Sequence, residues 1–393
     1  MTTQARRPVR LLEIVPGPRG VEALLEALPA ALAGEGPALG LAPSGDAEHA
    51  RRSREAVVAG DALVDDDVAV VVATSGSTGT PRGVLLPASS LLASAHAALD
   101  RMGGPGAWTL ALPVTSVGGL QVVLRALVAD VEPLVLASVG GAGPFEPAEL
   151  ARLTWRLDPS LPAYTSLVPA QVARMLDDPA GLDALRAYEA VLLGGARTPA
   201  PMLEWLRAAQ VAAIPTYGMT ETSGGMVYDG RPLDHVGVRV IDPDENGVGR
   251  LALTGATLAR GYLGDQEATR ERFVDGMHVT GDLGRVRDDG VVEVIGRLDD
   301  VVQVGGVNVA VAAVEDLLLS SCDDACVLAS DDELWGSRLT AYVVGGPSDD
   351  ALAALVADAL GRPAVPRAWV RLDAIPHLPN GKPDRDRLRS LTQ

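Results

Sequence analysis

The stretch VAVVVATSGSTGTPRG (68–83) joins a run of β-branched residues directly to a loop of Gly, Ser and Thr. The apolar run VAVVVA (68–73) predicts a buried strand. Glycines let the backbone after it approach a ligand closely, and successive N–H groups and hydroxyls can surround a polyphosphate with little basic charge. The spacing is not that of a Walker A loop, G-x-x-x-x-G-K-[ST]. We therefore predict a different phosphate-binding loop, with these candidate ligands: Thr74, Ser75, Gly76, Ser77, Thr78, Gly79 and Arg82.

The segments around this loop alternate between strand-like and helix-like patterns, which predicts an α/β fold with a parallel sheet. A helix is predicted from Ser89 to Met102, and 139–149 is predicted to be a loop. Further strands are predicted at 108–114, 133–138, 190–196 and 211–218, and a helix at 119–130. From about residue 235 the pattern changes to β-hairpins with Asn-Gly and Asp-Gly turns, at 246–247 and 289–290. We predict a large domain, 1–298, of α/β layers plus a β-rich subdomain, and a small α+β domain, 299–393.

Composition limits the partners of the chain. The formal net charge is −18 and the isoelectric point is about 4.7, which argues against nucleic acid and anionic membrane surfaces because both are bound by basic patches. Cys322 and Cys326 are predicted to be reduced thiols of a cytoplasmic protein. The sequence shows neither a signal peptide nor an apolar run long enough to span a membrane.

Of the 33 basic residues only Lys382 is a lysine, and it lies in PNGKPDR (379–385). A lysine is a compact point charge on a flexible stem, unlike the planar fork of arginine. Such a charge suits an oxygen that gains negative charge during a reaction. Lys382 is therefore a candidate catalytic residue; the alternative is a surface lysine with no function.

TSGSTGTPRG resembles the phosphate loop of the adenylate-forming superfamily, which includes acyl-CoA synthetases, peptide-synthetase adenylation domains and luciferases. Five further segments resemble its motifs in the same order: VLLGGA (191–196), YGMTET (217–222), TGDLG (280–284), GRLDD (296–300) and PNGKPDR (379–385). The resemblance thus spans residues 74 to 385.

The resemblance implies roles for individual residues. Glu221 would hold Mg²⁺ against phosphate oxygens, and Thr220 would hydrogen-bond the reacting phosphate. Asp282 would accept from the ribose hydroxyls and Arg297 would donate to the ribose. The purine would lie against these residues: Gly194, Gly195, Ala196 and Tyr217.

The implied reaction has two halves. A carboxylate attacks the α-phosphate of ATP to give acyl-AMP and pyrophosphate, and a thiol then displaces AMP. In the family the small C-terminal domain is mobile and rotates between the halves about a hinge, here Asp299. Lys382 would serve the first half, while Gly305 and Gly306 would line the thiol tunnel in the second.

A closer resemblance is to the o-succinylbenzoate–CoA ligases of menaquinone biosynthesis. It rests on ALPVTSVGGLQVVLRAL (111–127), YTSLVPAQVARML (164–176) and VYDGRPLDHVGVRV (227–240). It places Arg125, Ser116 and Ser166 around the acid, and an arginine suits the second carboxylate of a diacid. Ser116 stands where the family has His, and Arg82 replaces the usual lysine of the phosphate loop.

Three hypotheses follow. The first is a ligase that joins o-succinylbenzoate or a near relative to coenzyme A. The second is an adenylation enzyme for another aromatic or small acid that loads CoA or a carrier protein; no carrier domain follows PNGKPDR, which favours free CoA. The third is a non-catalytic adenylate-binding protein, against which the joint presence of Lys382, Glu221 and Asp282 argues. Monomer and homodimer both stay open.

Overall fold

A computed structural model of the chain describes residues 5–58, 62–74, 81–332, 335–377 and 383–391. By their internal contacts they fall into two compact units. The first comprises 1–197, 206–238 and 253–279, and the second 198–205, 239–252 and 280–393. The predicted domain boundary at 298/299 stays a prediction.

The strands, in chain order, are β1 (Arg6–Ile14), β2 (Ala38–Pro43), β3 (Leu63–Asp65), β4 (Val68–Ala73), β5 (Gly83–Pro87), β6 (Ala107–Leu110), β7 (Leu134–Val135), β8 (Ala163–Leu167), β9 (Ala190–Leu193), β10 (Ala213–Met219), β11 (Gly224–Tyr228), β12 (Arg231–Pro232), β13 (Val236–Ile241), β14 (Gly249–Gly255), β15 (Gly261–Tyr262), β16 (Phe273–Val274), β17 (Met277–Val286), β18 (Val292–Arg297), β19 (Val301–Val304), β20 (Val307–Ala310), β21 (Asp324–Asp332), β22 (Gly336–Val344) and β23 (Ala368–Arg371).

The α-helices are α1 (Pro18–Leu32), α2 (Glu48–Val57), α3 (Ala88–Met102), α4 (Val117–Val128), α5 (Pro147–Thr154), α6 (Pro169–Leu176), α7 (Pro179–Arg186), α8 (Ala200–Ala208), α9 (Gln266–Arg272), α10 (Val311–Leu319), α11 (Asp349–Leu360) and α12 (Arg385–Ser390). Short 3₁₀ turns lie at Thr220–Thr222, Leu298–Asp300 and Arg362–Ala364. Within the described ranges, no helix has the length and apolar character that crossing a bilayer requires.

The first unit contains two sheets. One has the strand order β15-β5-β4-β2-β1-β3, with β1, β2 and β4 parallel and β5 antiparallel to β4. The other has the order β12-β11-β10-β9-β8-β6-β7 and is parallel from β10 to β7. Strand β4 is buried on both faces as far as Val72, as its unbroken valine run predicts.

The second unit contains the antiparallel pair β17–β18 and a sheet in the order β20-β19-β22-β21, to which β23 adds in parallel. Helices α10 and α11 cover that sheet through Val314, Leu318, Leu352 and Val356, all buried. The predicted turns are present, with Gly247 donating to the carbonyl of Asp244 and Gly290 to that of Arg287.

The mixed α/β class is confirmed, but several predicted bounds are wrong. The segment after the phosphate loop does not pass directly into a helix: GVLLP forms β5, which returns antiparallel along β4. The predicted strands at 108–114 and 133–138 shrink to β6 and β7, and α5 already begins at Pro147 inside the predicted loop 139–149. Prolines 113 and 133 flank the two shortened strands and cannot donate to a ladder.

Candidate active site

The phosphate loop connects two antiparallel strands. At its mouth Thr74 donates its N–H to the carbonyl of Arg82 (2.8 Å), and the N–H of Arg82 lies 3.3 Å from Thr74 Oγ1. The other predicted ligands, Ser75, Gly76, Ser77, Thr78 and Gly79, lie outside the described residues. The strand pair therefore fixes both ends of the loop.

Glu221 lies in the 3₁₀ turn that follows β10. Thr222 closes this turn, because its Oγ1 accepts from the N–H of Met219 (3.0 Å) and donates to the carbonyl of Gly224 (2.7 Å). The main-chain carbonyl of Glu221 accepts from Ala259 (2.8 Å). Thr220, at the start of the turn, and the Glu221 side chain are both half-buried, so a ligand can reach them.

A third segment connects the phosphate loop to Glu221. Tyr262, in β15, donates its hydroxyl to Glu221 Oε1 (3.0 Å), and the guanidinium of Arg82 lies 5.7 Å from the centre of the Tyr262 ring. Arg82 also donates from Nε to Asp265 Oδ2 (3.1 Å). Tyr262 and Asp265 are not among the residues predicted from the sequence. The available signal was RGYLGD (260–265), a polar and glycine-containing segment within a β-rich region.

The residues predicted to contact the purine follow β9 and lie on β10. Gly194, Gly195 and Ala196 come directly after β9, which pairs in parallel with β10, the strand that carries Tyr217. A Cβ on Gly194 would lie 2.8 Å from Thr216 Oγ1, and Gly195 has φ of +76°. Because the carboxyl ends of parallel strands share one edge of a sheet, these residues and Glu221 lie at the same edge.

Arg125 lies in the interior of the first unit, 3% exposed, on α4. Its Nη2 donates to the Tyr228 hydroxyl (3.0 Å), and its guanidinium lies 5.2 Å from the centre of the Trp108 ring. Burial lowers the pKa of Arg125, and the neighbouring Tyr228 opposes this shift. Two buried donors, Arg125 Nε and Trp108 Nε1, have no acceptor among the described residues.

Ser166 lies in β8, and Ser116 lies at the start of α4. Ser166 is 7% exposed on β8, two residues from Tyr164, whose ring packs on Trp108 at 5.3 Å. Alternation along the strand therefore directs Ser166 to the face that carries Trp108. Ser116 is the N-cap of α4: its Oγ donates to the carbonyl of Pro113 (2.7 Å) and lies 3.5 Å from the N–H of Gly119.

In the second unit, Asp282 and Arg297 lie opposite each other on β17 and β18. Arg297 Nη1 donates to Asp282 Oδ1 (3.2 Å), and the N–H of Asp282 donates to Thr280 Oγ1 (2.9 Å). The two residues predicted to contact a ribose are thus brought together by strand register.

Asp299 lies in the 3₁₀ turn Leu298–Asp300, and Gly305 and Gly306 form the turn between β19 and β20 with φ of +60° and +81°. Gly305 donates its N–H to the carbonyl of Trp335 (2.8 Å). Lys382 lies outside the described residues. The chain on either side of its loop is paired, since Asp384 donates its N–H to the carbonyl of Pro376 (2.7 Å).

Within the described residues no group of three or more Asp, Glu, His or Cys side chains could enclose a metal ion. Magnesium commonly binds through one or two carboxylates together with substrate phosphates. A half-buried Glu221, held by Tyr262 on one oxygen, fits that mode of binding.

Family models match most of the chain. Residues 22–263 match the model described as AMP-binding enzyme, and residues 313–382 match that of the AMP-binding enzyme C-terminal domain. The chain belongs to the AMP-binding enzyme family. The predicted residues from Thr74 to Glu221 lie within the first match, and Lys382 is the last residue of the second.

Among relatives of this AMP-binding enzyme, the probable 2-succinylbenzoate–CoA ligase of Mycobacterium tuberculosis (strain H37Rv) is 41% identical over 94% of this chain and 95% of the relative. The 2-succinylbenzoate–CoA ligase of Bacillus cytotoxicus is 28% identical over 82% of this chain and 70% of the relative. Tyrocidine synthase 3 of Brevibacillus parabrevis is 33% identical over 82% of this chain but only 5% of its own length.

Two solved structures share the fold of this AMP-binding enzyme. The amide bond synthetase McbA from Marinactinospora thermotolerans superposes with a TM-score of 0.81 at 24% identity, covering 98% of this chain and 90% of McbA. The o-succinylbenzoate CoA synthetase MenE from Bacillus subtilis, in complex with OSB-AMP, gives 0.74 at 23% identity, covering 97% and 87%. They confirm the adenylate-forming architecture.

Proposed function

We propose that this AMP-binding enzyme is an o-succinylbenzoate–CoA ligase. It converts ATP, o-succinylbenzoate and CoA into o-succinylbenzoyl-CoA, AMP and pyrophosphate. The observation that carries the choice of acid is the 41% identity, over nearly the full length of both chains, to the probable 2-succinylbenzoate–CoA ligase of M. tuberculosis.

In the first half-reaction an oxygen of the acid carboxylate attacks the α-phosphorus of ATP, and pyrophosphate leaves. Thr74 and Arg82 hold the ends of the loop that receives the phosphates, and Thr220 hydrogen-bonds the reacting phosphate. Glu221 would hold magnesium, which would supply positive charge to the phosphate oxygens. Lys382 supplies a further positive charge, which suits the oxygens that become more negative.

In the second half-reaction the thiol of CoA attacks the acyl carbon, and AMP leaves with its phosphate oxygen. We propose that residues 299–393 form the mobile domain, hinged at Asp299, and that 1–298 binds ATP and the acid. The turn at Gly305 and Gly306 lies beside the thiol, because two positive-φ glycines expose backbone without side-chain bulk. Asp282 and Arg297 hold the ribose.

The acid is proposed to lie on the layer formed by α4 and β8. Arg125 supplies a buried cation, and the described residues offer no acceptor for its Nε. A buried charge is costly unless it is paired, so the non-reacting carboxylate of a diacid suits this position. Ser166 lies on the same face, and Ser116 occupies the position of the family's His at the start of α4.

The test is a panel of carboxylic acids supplied with ATP, Mg²⁺ and CoA. Pyrophosphate release and the mass of the thioester are measured for o-succinylbenzoate, benzoate, and other aromatic and aliphatic diacids. We expect the highest kcat/KM with o-succinylbenzoate. A higher value for another acid would contradict the choice of substrate, and no pyrophosphate with any acid would contradict adenylation itself.

A second candidate, the loading of a carrier protein, draws support from the similarity to tyrocidine synthase 3. The same panel with a phosphopantetheinylated carrier protein in place of CoA separates the two. Faster thioester formation on the carrier than on CoA would favour it. For either thiol we propose a cytoplasmic location, since Cys322 and Cys326 are both free thiols.

A further inference from the structure

Tyr262 has a fixed position relative to the phosphate loop. It lies in β15, antiparallel to β5, with Tyr262 opposite Val84 and Gly261 opposite Leu85. Leu263 donates its N–H to the carbonyl of Gly83 (2.7 Å), immediately after the loop. A displacement of β5 would therefore also displace the tyrosine.

The ring of Tyr262 is held on several sides. The residue is 7% exposed, and its ring meets Phe273 edge-on at 5.7 Å. Its N–H donates to Thr269 Oγ1 (2.9 Å). The chain approaches Thr269 so closely that a Cβ on Gly261 would lie 2.4 Å from Thr269 Cγ2. These contacts leave the hydroxyl little freedom to move away from Glu221.

The carboxylate of Glu221, in contrast, lies at the end of a flexible side chain. Its backbone is fixed by the 3₁₀ turn and by the hydrogen bond from Ala259, but these contacts do not set the side-chain torsions. The hydroxyl of Tyr262 contacts one oxygen, Oε1. An ionised carboxylate has about four acceptor positions, and this hydrogen bond takes one of them.

We propose that Tyr262 is a positioning residue for the metal-binding carboxylate: its hydroxyl holds Glu221 in the orientation that receives the divalent cation bound to ATP. This inference rests on the proposed function, in which Glu221 holds magnesium. A phenol hydroxyl donates one hydrogen bond, and Glu221 Oε1 is its acceptor here.

The same segment joins this carboxylate to the phosphate loop. Arg82 contacts both the face of Tyr262 and the carboxylate of Asp265. The side chains of Arg82 and Glu221 are thus both contacted by one short stretch, residues 262–265. Arg82 and Glu221, which are proposed to hold the phosphates and their cation, therefore contact the same segment.

Tyr262→Phe removes the hydroxyl and keeps the ring. We expect the Mn²⁺ affinity of the enzyme–ATP complex, measured by electron paramagnetic resonance without acid, to fall about 10- to 100-fold, as for other groups that orient metal ligands. The Mg²⁺ concentration for half-maximal pyrophosphate release should rise similarly. Thioester formation from preformed acyl-adenylate and CoA should be unchanged.

Tyr188→Phe is the matched control, because it deletes a buried phenol hydroxyl that bonds Thr109 (3.0 Å) and Thr154 (2.7 Å). It should lower the thermal midpoint and leave the metal dependence at the wild-type value. In the background of Glu221→Gln, Tyr262→Phe should produce no additional loss of Mn²⁺ affinity, since it acts through Glu221.

The proposal is overturned if Tyr262→Phe binds Mn²⁺ with wild-type affinity. It is also overturned if Tyr262→Phe lowers the Mn²⁺ affinity of Glu221→Gln by the same factor as it lowers that of the wild type. Both measurements use Mn²⁺ and ATP alone. They therefore stay decisive for Tyr262 even if the acid panel shows that the proposed substrate is wrong.

Discussion

Burial determines which kind of ligand Arg125 suits. Gln121 and Arg125 are the only polar side chains of α4, and their spacing of four residues also fits a solvent-facing stripe of a helix. The structure buries Arg125 between Trp108 and Tyr228 and leaves Nε without an acceptor among the described residues. A buried cation that interacts with a phenol and an aromatic ring, and with no carboxylate in those contacts, suits an anionic ligand.

Arg125→Met tests this by keeping the volume and removing the charge. We expect KM for o-succinylbenzoate to rise by about tenfold or more, the equivalent of roughly 1.4 kcal/mol, while KM for benzoate changes little. Steady-state kinetics with both acids is the measurement. Arg7→Met is the control: Arg7 is also buried, but its Nε donates to the carbonyl of Val68 (2.9 Å), so its loss should reduce stability without discriminating between acids. An equal change for both acids in Arg125→Met would remove the residue from the acid site.

For Ser116 the sequence predicts the place in the motif but not the contacts. Its hydrogen bonds with Pro113 and Gly119 depend on the turn that begins α4. The hydroxyl thus caps a helix, whatever it contributes to the acid.

Elements with long, regular patterns were predicted well. Strand β4 and helices α3 and α4 were predicted because valine runs and helical periodicity are strong local signals. Strand β5 was missed because its five residues lie between a Gly/Pro-rich loop and a helix, where a short apolar run is ambiguous. Tyr262 and Asp265 lie in RGYLGD (260–265), a local signal for a polar turn, but Arg82 and Asp265 are 183 residues apart and no local pattern indicates that they pair.

The turn between β19 and β20 gives a prediction at the scale of an element. Gly305→Ala places a side chain at φ of +60° with its Cβ 2.9 Å from Trp335 Cε3. We expect a loss of about 1–2 kcal/mol in the free energy of unfolding from the left-handed conformation alone, and slower thioester formation from preformed acyl-adenylate.

The control is Gly290→Ala in the turn before β18, where φ is +80° and a Cβ would meet nothing within 4 Å. Urea unfolding and the two half-reactions measured separately provide the comparison. Thiolation slowed equally in both variants would argue that the turn at Gly305 has no special relation to the thiol.

At the scale of the whole molecule, stability should depend on pH through Glu315. Burial raises the pKa of this carboxyl, and Arg385 opposes the rise. Arg385 Nη2 lies 3.7 Å from Glu315 Oε2, and its Nη1 lies 3.5 Å from Asp300 Oδ1. A carboxyl with a raised folded-state pKa stabilises the protein below its unfolded pKa, and this contribution is lost as pH rises through the folded value.

Arg385→Gln removes the opposing charge and should raise the pKa of Glu315 further. We expect a loss of about 1–2 kcal/mol at neutral pH, allowing for the partial exposure of the guanidinium, and a smaller loss at pH 5. Arg389→Gln, at a more exposed position of the same helix, should change stability little at either pH. Denaturant unfolding at both pH values is the measurement, and a larger loss at pH 5 would contradict the assignment.

The proposal that the C-terminal domain supplies Lys382 for adenylation but not for thioester formation is also testable on the whole chain. Lys382→Ala should suppress pyrophosphate formation by about a hundredfold or more, the loss typical of a removed group that stabilises developing charge. Thioester formation from preformed acyl-adenylate should remain. Lys382→Arg, which keeps a cation but changes its geometry, should restore activity only in part. Equal loss of both half-reactions would contradict the proposal that the C-terminal domain rotates between them.

The mouth formed by Thr74 and Arg82 determines how the phosphate loop can vary. Thr74 and Arg82 lie next to Ala73 and Gly83, the last pair of the β4–β5 ladder, and share a main-chain hydrogen bond, so the strands set their separation whatever residues occupy 75–80. We therefore expect residues 75–80 to be replaceable by segments of equal length from other adenylating enzymes. Such replacements should change the affinity for ATP and leave β4 and β5 paired.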